Sequence, residues 1–324
     1  MRHHETVLKQ EAVSALNVRP EGRYVDATFG RGGHARAILD TLGVGGSLLV
    51  LDRDPEAIAA AQELMAQDPR VKAMKTPFGA LESALSEARL QGKVDGILFD
   101  LGVSSPQLDE PERGFSFMRD GPLDMRMDSD AKTSAAEWLA DAPEQQIADV
   151  IYQLGEERHS RRIARAIVKV RTEMAITRTS QLADIVKQAH PAWEKHKHPA
   201  TRTFQAIRMH INNELSELDS ALEAALNSLA TGGRLVVISF HSLEDRIVKR
   251  FLTTRSQHAA RPSRHLPIAD GAAPSFDLVT RKAVLPSKEE CRINSRARSA
   301  KLRIARRTNA PVYMSANQET VACG

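Results

Sequence analysis

At 324 residues the chain is long enough for one large domain or two medium ones, and a composition 42% apolar but only 4% aromatic points to an aliphatic core. No apolar run approaches the roughly 20 residues of a membrane helix, no signal-like stretch follows Met1, and Cys291 and Cys323 cannot build a disulfide framework, so a cytoplasmic protein is expected. The 45 basic and 41 acidic residues leave a net charge of +4, a modest lean towards polyanions whose distribution matters more than its size.

Four short apolar segments, each ending in a polar residue, read as buried parallel strands: Tyr24-Val25-Asp26, 48–52, 96–100 and 235–239. Helical patterns separate the first three. One runs from Ala35 to Leu42 behind a glycine loop, and another starts at Asp54-Pro55, an N-cap followed by proline at the first helical position. Strand–helix alternation of this kind predicts a doubly wound α/β sheet. More than 130 residues separate Asp100 from Leu235, where a single crossover needs about 30, so a helical insertion is expected. Its candidate helices are 134–139, 144–154, 158–173 and 180–190. A longer helix follows, with Ile207, Ile211, Leu215, Leu218, Leu222, Leu226 and Leu229 forming one apolar stripe. Residues 255–290 read as a loop-rich excursion, and the alternating Lys301-Leu302-Arg303-Ile304 as an edge strand.

Ligands of such sheets bind at the carboxyl ends of the strands. Gly30, Gly32 and Gly33 follow the first strand, Asp52 ends the second, 22 residues after Gly30, and Asp100 ends a later one. A carboxylate at Asp52 suits paired ribose hydroxyls. The run Gly30-Arg31-Gly32-Gly33-His34-Ala35 also fits a dinucleotide fingerprint, which keeps a dehydrogenase open. Against it, Asp26 just before the loop would repel a pyrophosphate but meet a cationic amino group, which favours S-adenosylmethionine (AdoMet). The segment 100–107 leaves the strand where methyltransferases hold the acceptor, and Ser105-Pro106-Gln107 partly matches an amine-acceptor turn; a plain turn or helix start is the alternative. Cys291 and Cys323 lie far from every strand end, which argues against attack through a cysteine thiolate.

Arg158, Arg162, Arg165 and Lys169 share one face of the inserted helix, a candidate phosphate track or an ordinary solvated face. A C-terminal basic run (Arg292, Arg296, Arg298, Lys301, Arg303, Arg306, Arg307) and the segment 201–208, with Arg202 and Arg208, add two more basic regions. Phe115 and Phe117 could stack on a base or fill a core. His196 and His198 have no further ligand cluster nearby, and no metal is expected. A non-catalytic RNA-binding factor would share these basic surfaces.

Long motifs carry a resemblance. The segments 26–34, 51–55, 100–109, 113–117, 122–127, 155–158, 198–206 and 239–246 are similar to the bacterial 16S ribosomal RNA cytosine-N4 methyltransferase family, over nearly the whole chain from about His4 to Ala310. The resemblance implies a Rossmann-like class I methyltransferase sheet, residues 1–107 and 200–324, interrupted by a helical RNA-recognition domain at 108–199. It also implies AdoMet as cofactor and methylation of a cytosine exocyclic amine in the decoding region of small-subunit rRNA, in the cytoplasm, and leaves open naked rRNA or an assembled subunit as the substrate. Family AdoMet contacts fall here on Gly32, Gly33, His34, Asp52, Phe78, Asp100 and Gln107. Asp100, Ser104, Ser105 and Pro106 are expected to position the acceptor, and Arg158, Arg162, Arg165, Lys169, Arg202 and Arg208 to bind RNA.

Overall fold

The computed structural model describes residues 6–191, 198–257 and 273–311. These fall into two compact units, one from Met1–Asp52, Glu56–Leu101 and Glu217–Gly324, the other from Arg53–Pro55 and Gly102–Ser216. His196, Cys323 and residues 258–272 of the 255–290 excursion lie outside the described residues.

The first unit opens with α1 (Lys9–Leu16), then alternates β1 (Arg23–Asp26), α2 (Gly33–Leu39), β2 (Ser47–Asp52), α3 (Pro55–Gln67), β3 (Val71–Lys75), α4 (Leu81–Glu87) and β4 (Val94–Asp100). The strands pair in parallel, with Val25 of β1 opposite Leu49 of β2 and Ile97 of β4. Successive side chains point to opposite faces. Val25, Leu49, Leu51, Ile97 and Phe99 therefore join one core, and Tyr24, Leu48, Val50 and Leu98 the other. Burial on both faces explains why these strands read as continuous apolar runs.

The second unit carries α5 (Ser105–Asp109), α6 (Ala135–Asp141), α7 (Glu144–Gly155), α8 (Ser160–Arg171), α9 (Thr179–Ala189) and α10 (Ala200–Ile211) around its own core, which includes Leu139, Ile147, Ile151, Ile163, Ile167, Leu182, Val186 and Phe204. The stripe expected to be one long helix is broken. After α10, Asn213 takes a left-handed conformation (φ 51°), and α11 (Glu214–Ser228) starts afresh. Periodicity survives because both helices bury the residues that carried it: Ile207 in the second unit, Leu218, Leu222 and Leu226 in the first.

The sheet resumes with β5 (Leu229–Ser239), then α12 (Ser242–Arg255), β6 (Phe276–Leu278), α13 (Lys288–Ile293) and β7 (Lys301–Arg307). Its order is β3-β2-β1-β4-β5-β7-β6. The expected edge strand at 301–304 is instead internal: β7 runs antiparallel between β5, where Val237 faces Arg303, and the three-residue β6. Its polar positions are covered by ion pairs, Lys301 and Arg303 both reaching Asp245 of α12 at 2.9 and 2.7 Å. No helix among the described residues is long and apolar enough to cross a membrane.

Candidate functional site

The carboxyl ends of β1, β2 and β4 gather three carboxylates beside the glycine loop. The loop is tied to both neighbouring strands: Ala27 N–H donates to the Leu98 carbonyl and Phe29 N–H to that of Leu51, each at 2.9 Å. Gly30 has φ 56°, and its N–H donates to Asp52 Oδ2 at 2.8 Å. Gly32 ends the loop at φ 73°, where a Cβ would stand 2.6 Å from Phe29 Cζ, so a side chain would be strained by both backbone and space. A Cβ on Gly33 would strike Thr6 Oγ1, so this glycine serves close packing of the loop on the chain entering α1.

Thr28, which carried no signal in the sequence, links the strand ends. Its hydroxyl accepts the Asp100 N–H at 2.6 Å, and its own N–H donates to Asp26 Oδ1 at 3.2 Å. Asp26 is buried, and its other oxygen, Oδ2, has no hydrogen-bond partner among the described residues. Burial, reinforced by the charge of Asp52, pushes its carboxyl up to about 7 against one opposing hydrogen bond from Thr28. Asp100 is pushed well above the usual carboxylate range by burial, then by Asp26 and by Glu244, which caps the start of α12. Asp100 Oδ1 is likewise enclosed without a partner, although 24% of the whole side chain stays accessible.

His34 opens α2 behind the loop. Burial holds its imidazole down to about 4, against a hydrogen bond with the Val7 backbone, so the ring is neutral at physiological pH. Its Nδ1 stands 3.7 Å from Asp100 Oδ2, too long for a hydrogen bond and, with a neutral ring, not an ion pair. Its Nε2 is buried and unpartnered too. Phe78 sits in a short 3-10 turn after β3 and packs edge-on against Phe99 at 6.2 Å. It escaped the residue pattern because β3 itself did: Val71-Lys72-Ala73-Met74-Lys75 lies at the sheet edge, where lysines are tolerated.

Enclosed carboxyl oxygens without partners, their proton affinity raised first by burial and then by neighbouring carboxylates, form a place that a cation would stabilise. A sulfonium or ammonium group fits it, and a pyrophosphate does not. The antiparallel β7 between β5 and β6 also has no counterpart in the paired βαβαβ halves of a dinucleotide fold, which removes the dehydrogenase alternative. The sequence profile of the MraW methylase family matches residues 1–308. The chain belongs to that family. It is an AdoMet-dependent methyltransferase of the rRNA-methylating type, built on a Rossmann-like class I sheet. Among solved structures it is similar to a candidate rRNA methylase from Clostridium thermocellum (12% identity, 95% of this chain and 99% of that one, TM-score 0.43). An rRNA methylase from Streptococcus thermophilus (11%, 95% and 99%, 0.40) and a SAM-dependent O-methyltransferase from Thermotoga maritima (10%, 97% and 70%, 0.41) are comparably distant. At that distance they add nothing to the family match.

The second unit of this MraW-family chain carries the remaining site candidates. Ser104 caps α5, its N–H donating to Gln107 Oε1 at 2.9 Å, and Pro106 lies in the first turn, so Ser104-Ser105-Pro106 builds a helix start. Gln107 is buried, and its Nε2 donates to Asp54 Oδ2 at 2.7 Å, an oxygen that also accepts from Arg113 Nη1 at 2.9 Å. The residue after Asp52 is held in the same unit, Arg53 Nη1 donating to the Asn212 carbonyl at 2.7 Å.

Arg162, Arg165 and Lys169 are exposed on α8, Arg158 precedes it, and Arg161 joins their face, while Ile163, Ala164 and Ile167 are buried. Arg202 is half-buried, 3.7 Å from Glu157, and Arg208 grips Glu214 with two bonds of 2.7 and 2.8 Å. The C-terminal basic run is largely spent internally: Arg292 on Glu289, Lys301 and Arg303 on Asp245, Arg306 on Asp277, Arg307 on backbone carbonyls. Phe115 and Phe117 are core residues, the latter packed against His198 and Phe204. Cys291 packs at the fringe of one sheet face on α13.

Proposed function

We propose that this enzyme methylates the exocyclic N4 amine of a cytosine in the decoding region of 16S rRNA, in the cytoplasm. The observation that carries the AdoMet side of this reading is the partnerless carboxylate cluster at the ends of β1 and β4 beside the glycine loop. When bound, AdoMet supplies a methyl group activated by its sulfonium. Asp26 and Asp100 would hold its cationic portion, Asp52 its ribose hydroxyls and Phe78 its adenine, with Gly32, Gly33 and His34 shaping the loop against it. Gln107 acts one step away, fixing the Asp52-Arg53-Asp54 turn through Asp54.

The acceptor side rests on the family resemblance and on the run from Asp100 to Pro106, where Ser104, Ser105 and Pro106 would orient the amine; positioning accounts for most of what such a transfer needs from the protein. The RNA would lie on Arg158, Arg161, Arg162, Arg165 and Lys169, with Arg202 beside them. Arg208, committed to Glu214, is left out. Nucleoside mass spectrometry of small-subunit rRNA from cells with and without the protein tests the activity: N4-methylated cytidine should disappear with the protein, and an unchanged level would refute it. Asp52→Ala should raise the AdoMet dissociation constant about tenfold or more, consistent with losing a charged hydrogen-bond acceptor.

A further inference from the structure

A second cluster of donors lies where α7 meets α8, and methyl transfer does not use it. Glu157 follows the last turn of α7 and is 1% exposed, His159 caps the start of α8, and His190 follows the last turn of α9. One ligating atom of each lies within 4.8 Å of the other two. The carboxylate is locally fixed: Oε1 accepts the His159 N–H at 2.8 Å, and Oε2 stands 3.5 Å from His190 Nε2. The two imidazoles meet edge to face, ring centroids 4.9 Å apart. Thirty-one residues separate His159 from His190, which is why no short metal motif betrays the group in the sequence.

We propose that Glu157, His159 and His190 bind a divalent cation of the zinc type. Two imidazoles and a carboxylate are a donor set zinc accepts, with a water completing four-coordination. Metal–ligand bonds of about 2.0–2.2 Å put neighbouring donors roughly 3.3–3.5 Å apart, so the group must draw in by about an ångström. His159, half-buried at the helix start, has the freedom to supply that movement.

The drive is the carboxylate itself, buried among packed helices, where an ionised group needs a close counter-charge. Arg202 Nη1 stands 3.7 Å from Oε2, on a side chain that is 32% exposed. Arg158 donates from Nε to His159 Nε2 at 3.1 Å, a bond the metal either replaces or leaves alone by binding Nδ1. All three ligands belong to the helical unit, so the ion clamps the α7–α8 junction to the end of α9 and fixes where the basic face of α8 begins. Its role is structural.

The test uses full-length protein without a histidine tag, stripped by a chelator and titrated with Zn2+ and, separately, Co2+. One equivalent should bind, the melting temperature should climb with free Zn2+ as for any ligand of the native state alone, and Co2+ should give visible bands of a four-coordinate nitrogen–oxygen site. His159→Ala and His190→Ala should each weaken Zn2+ binding about 100-fold or more and abolish the Co2+ bands. Far-UV circular dichroism of the same variants shows whether their helices are intact; should either fail to fold, His159→Gln and His190→Gln replace them. Absence of a stoichiometric site, or tight binding that survives both histidine substitutions, would overturn the proposal.

Discussion

Asp26 ends β1 with its carboxyl enclosed, and a pKa near 7 has consequences for both stability and binding. Unfolded, this group ionises near 3.8; folded, it keeps its proton to about 7. Between those values the folded chain binds more protons than the unfolded one, so the ligand-free fold loses stability as pH rises from about 4 to 7 and levels off above. The rise is worth about 4 kcal/mol in order of magnitude. Asp100 acts in the same direction, and His34 opposes both, losing stability as pH falls from 6.5 towards 4. A cationic ligand reverses the carboxyl preference, because it binds the ionised form. AdoMet affinity should therefore rise with pH up to about 7, approaching tenfold per pH unit, then flatten. Calorimetry at pH 6 in buffers of different ionisation enthalpy should count between about one and two protons released per AdoMet bound, from Asp26 and Asp100. Asp26→Asn should lower that release by about one proton and weaken binding above pH 7. An affinity independent of pH in the unaltered protein would place the cation elsewhere.

Among the elements, those buried on two faces were legible: β1, β2, β4 and β5 read as apolar runs because sheet and helices cover both sides. Where cover is partial, the signal fades. β3 hid behind Lys72 and Lys75, and with it went the position of Phe78. The alternation of β7 marks a strand but suggests an edge, since the pairing of Asp245 with Lys301 and Arg303 spans 56 and 58 residues of sequence that no local pattern contains. The break between α10 and α11 did leave a trace, the pair Asn212-Asn213, because asparagine tolerates the left-handed turn that ends a helix. Asn212 does more than end it. Buried, it accepts the Met127 N–H and donates to the Met125 carbonyl, both at 2.8 Å. Asn212→Ala should cost about 2–4 kcal/mol, because it leaves two buried backbone groups unpaired. Asn213→Ala should cost about 1 kcal/mol, because alanine lacks the short polar side chain that lets asparagine take the left-handed turn. Urea unfolding midpoints separate the two; equal effects would show that turn strain, not the Asn212 bridge, holds the junction.

At the scale of the whole molecule, the net charge of +4 conceals how the cations are distributed. The C-terminal run, the most basic in the sequence, is largely neutralised by Glu289, Asp245 and Asp277, whereas Arg158, Arg161, Arg162, Arg165 and Lys169 stay exposed together, Arg165 with a long 3.8 Å contact to Glu144. Sequence counts charges, but only tertiary pairing decides which remain available to a phosphate backbone. If those five groups each meet one phosphate of single-stranded rRNA, the logarithm of the association constant should fall with the logarithm of salt at a slope of about −3.5. Raising salt fourfold, from about 50 to 200 mM, would then weaken binding roughly 100-fold. Replacing Arg161, Arg162 and Arg165 together by alanine should lower the magnitude of that slope by about 2 while leaving AdoMet affinity unchanged. Fluorescence anisotropy with a labelled rRNA fragment at four salt concentrations measures both slopes. If the triple variant keeps the slope of the unaltered protein, the RNA follows another face, and the exposed charge on α8 serves solubility alone.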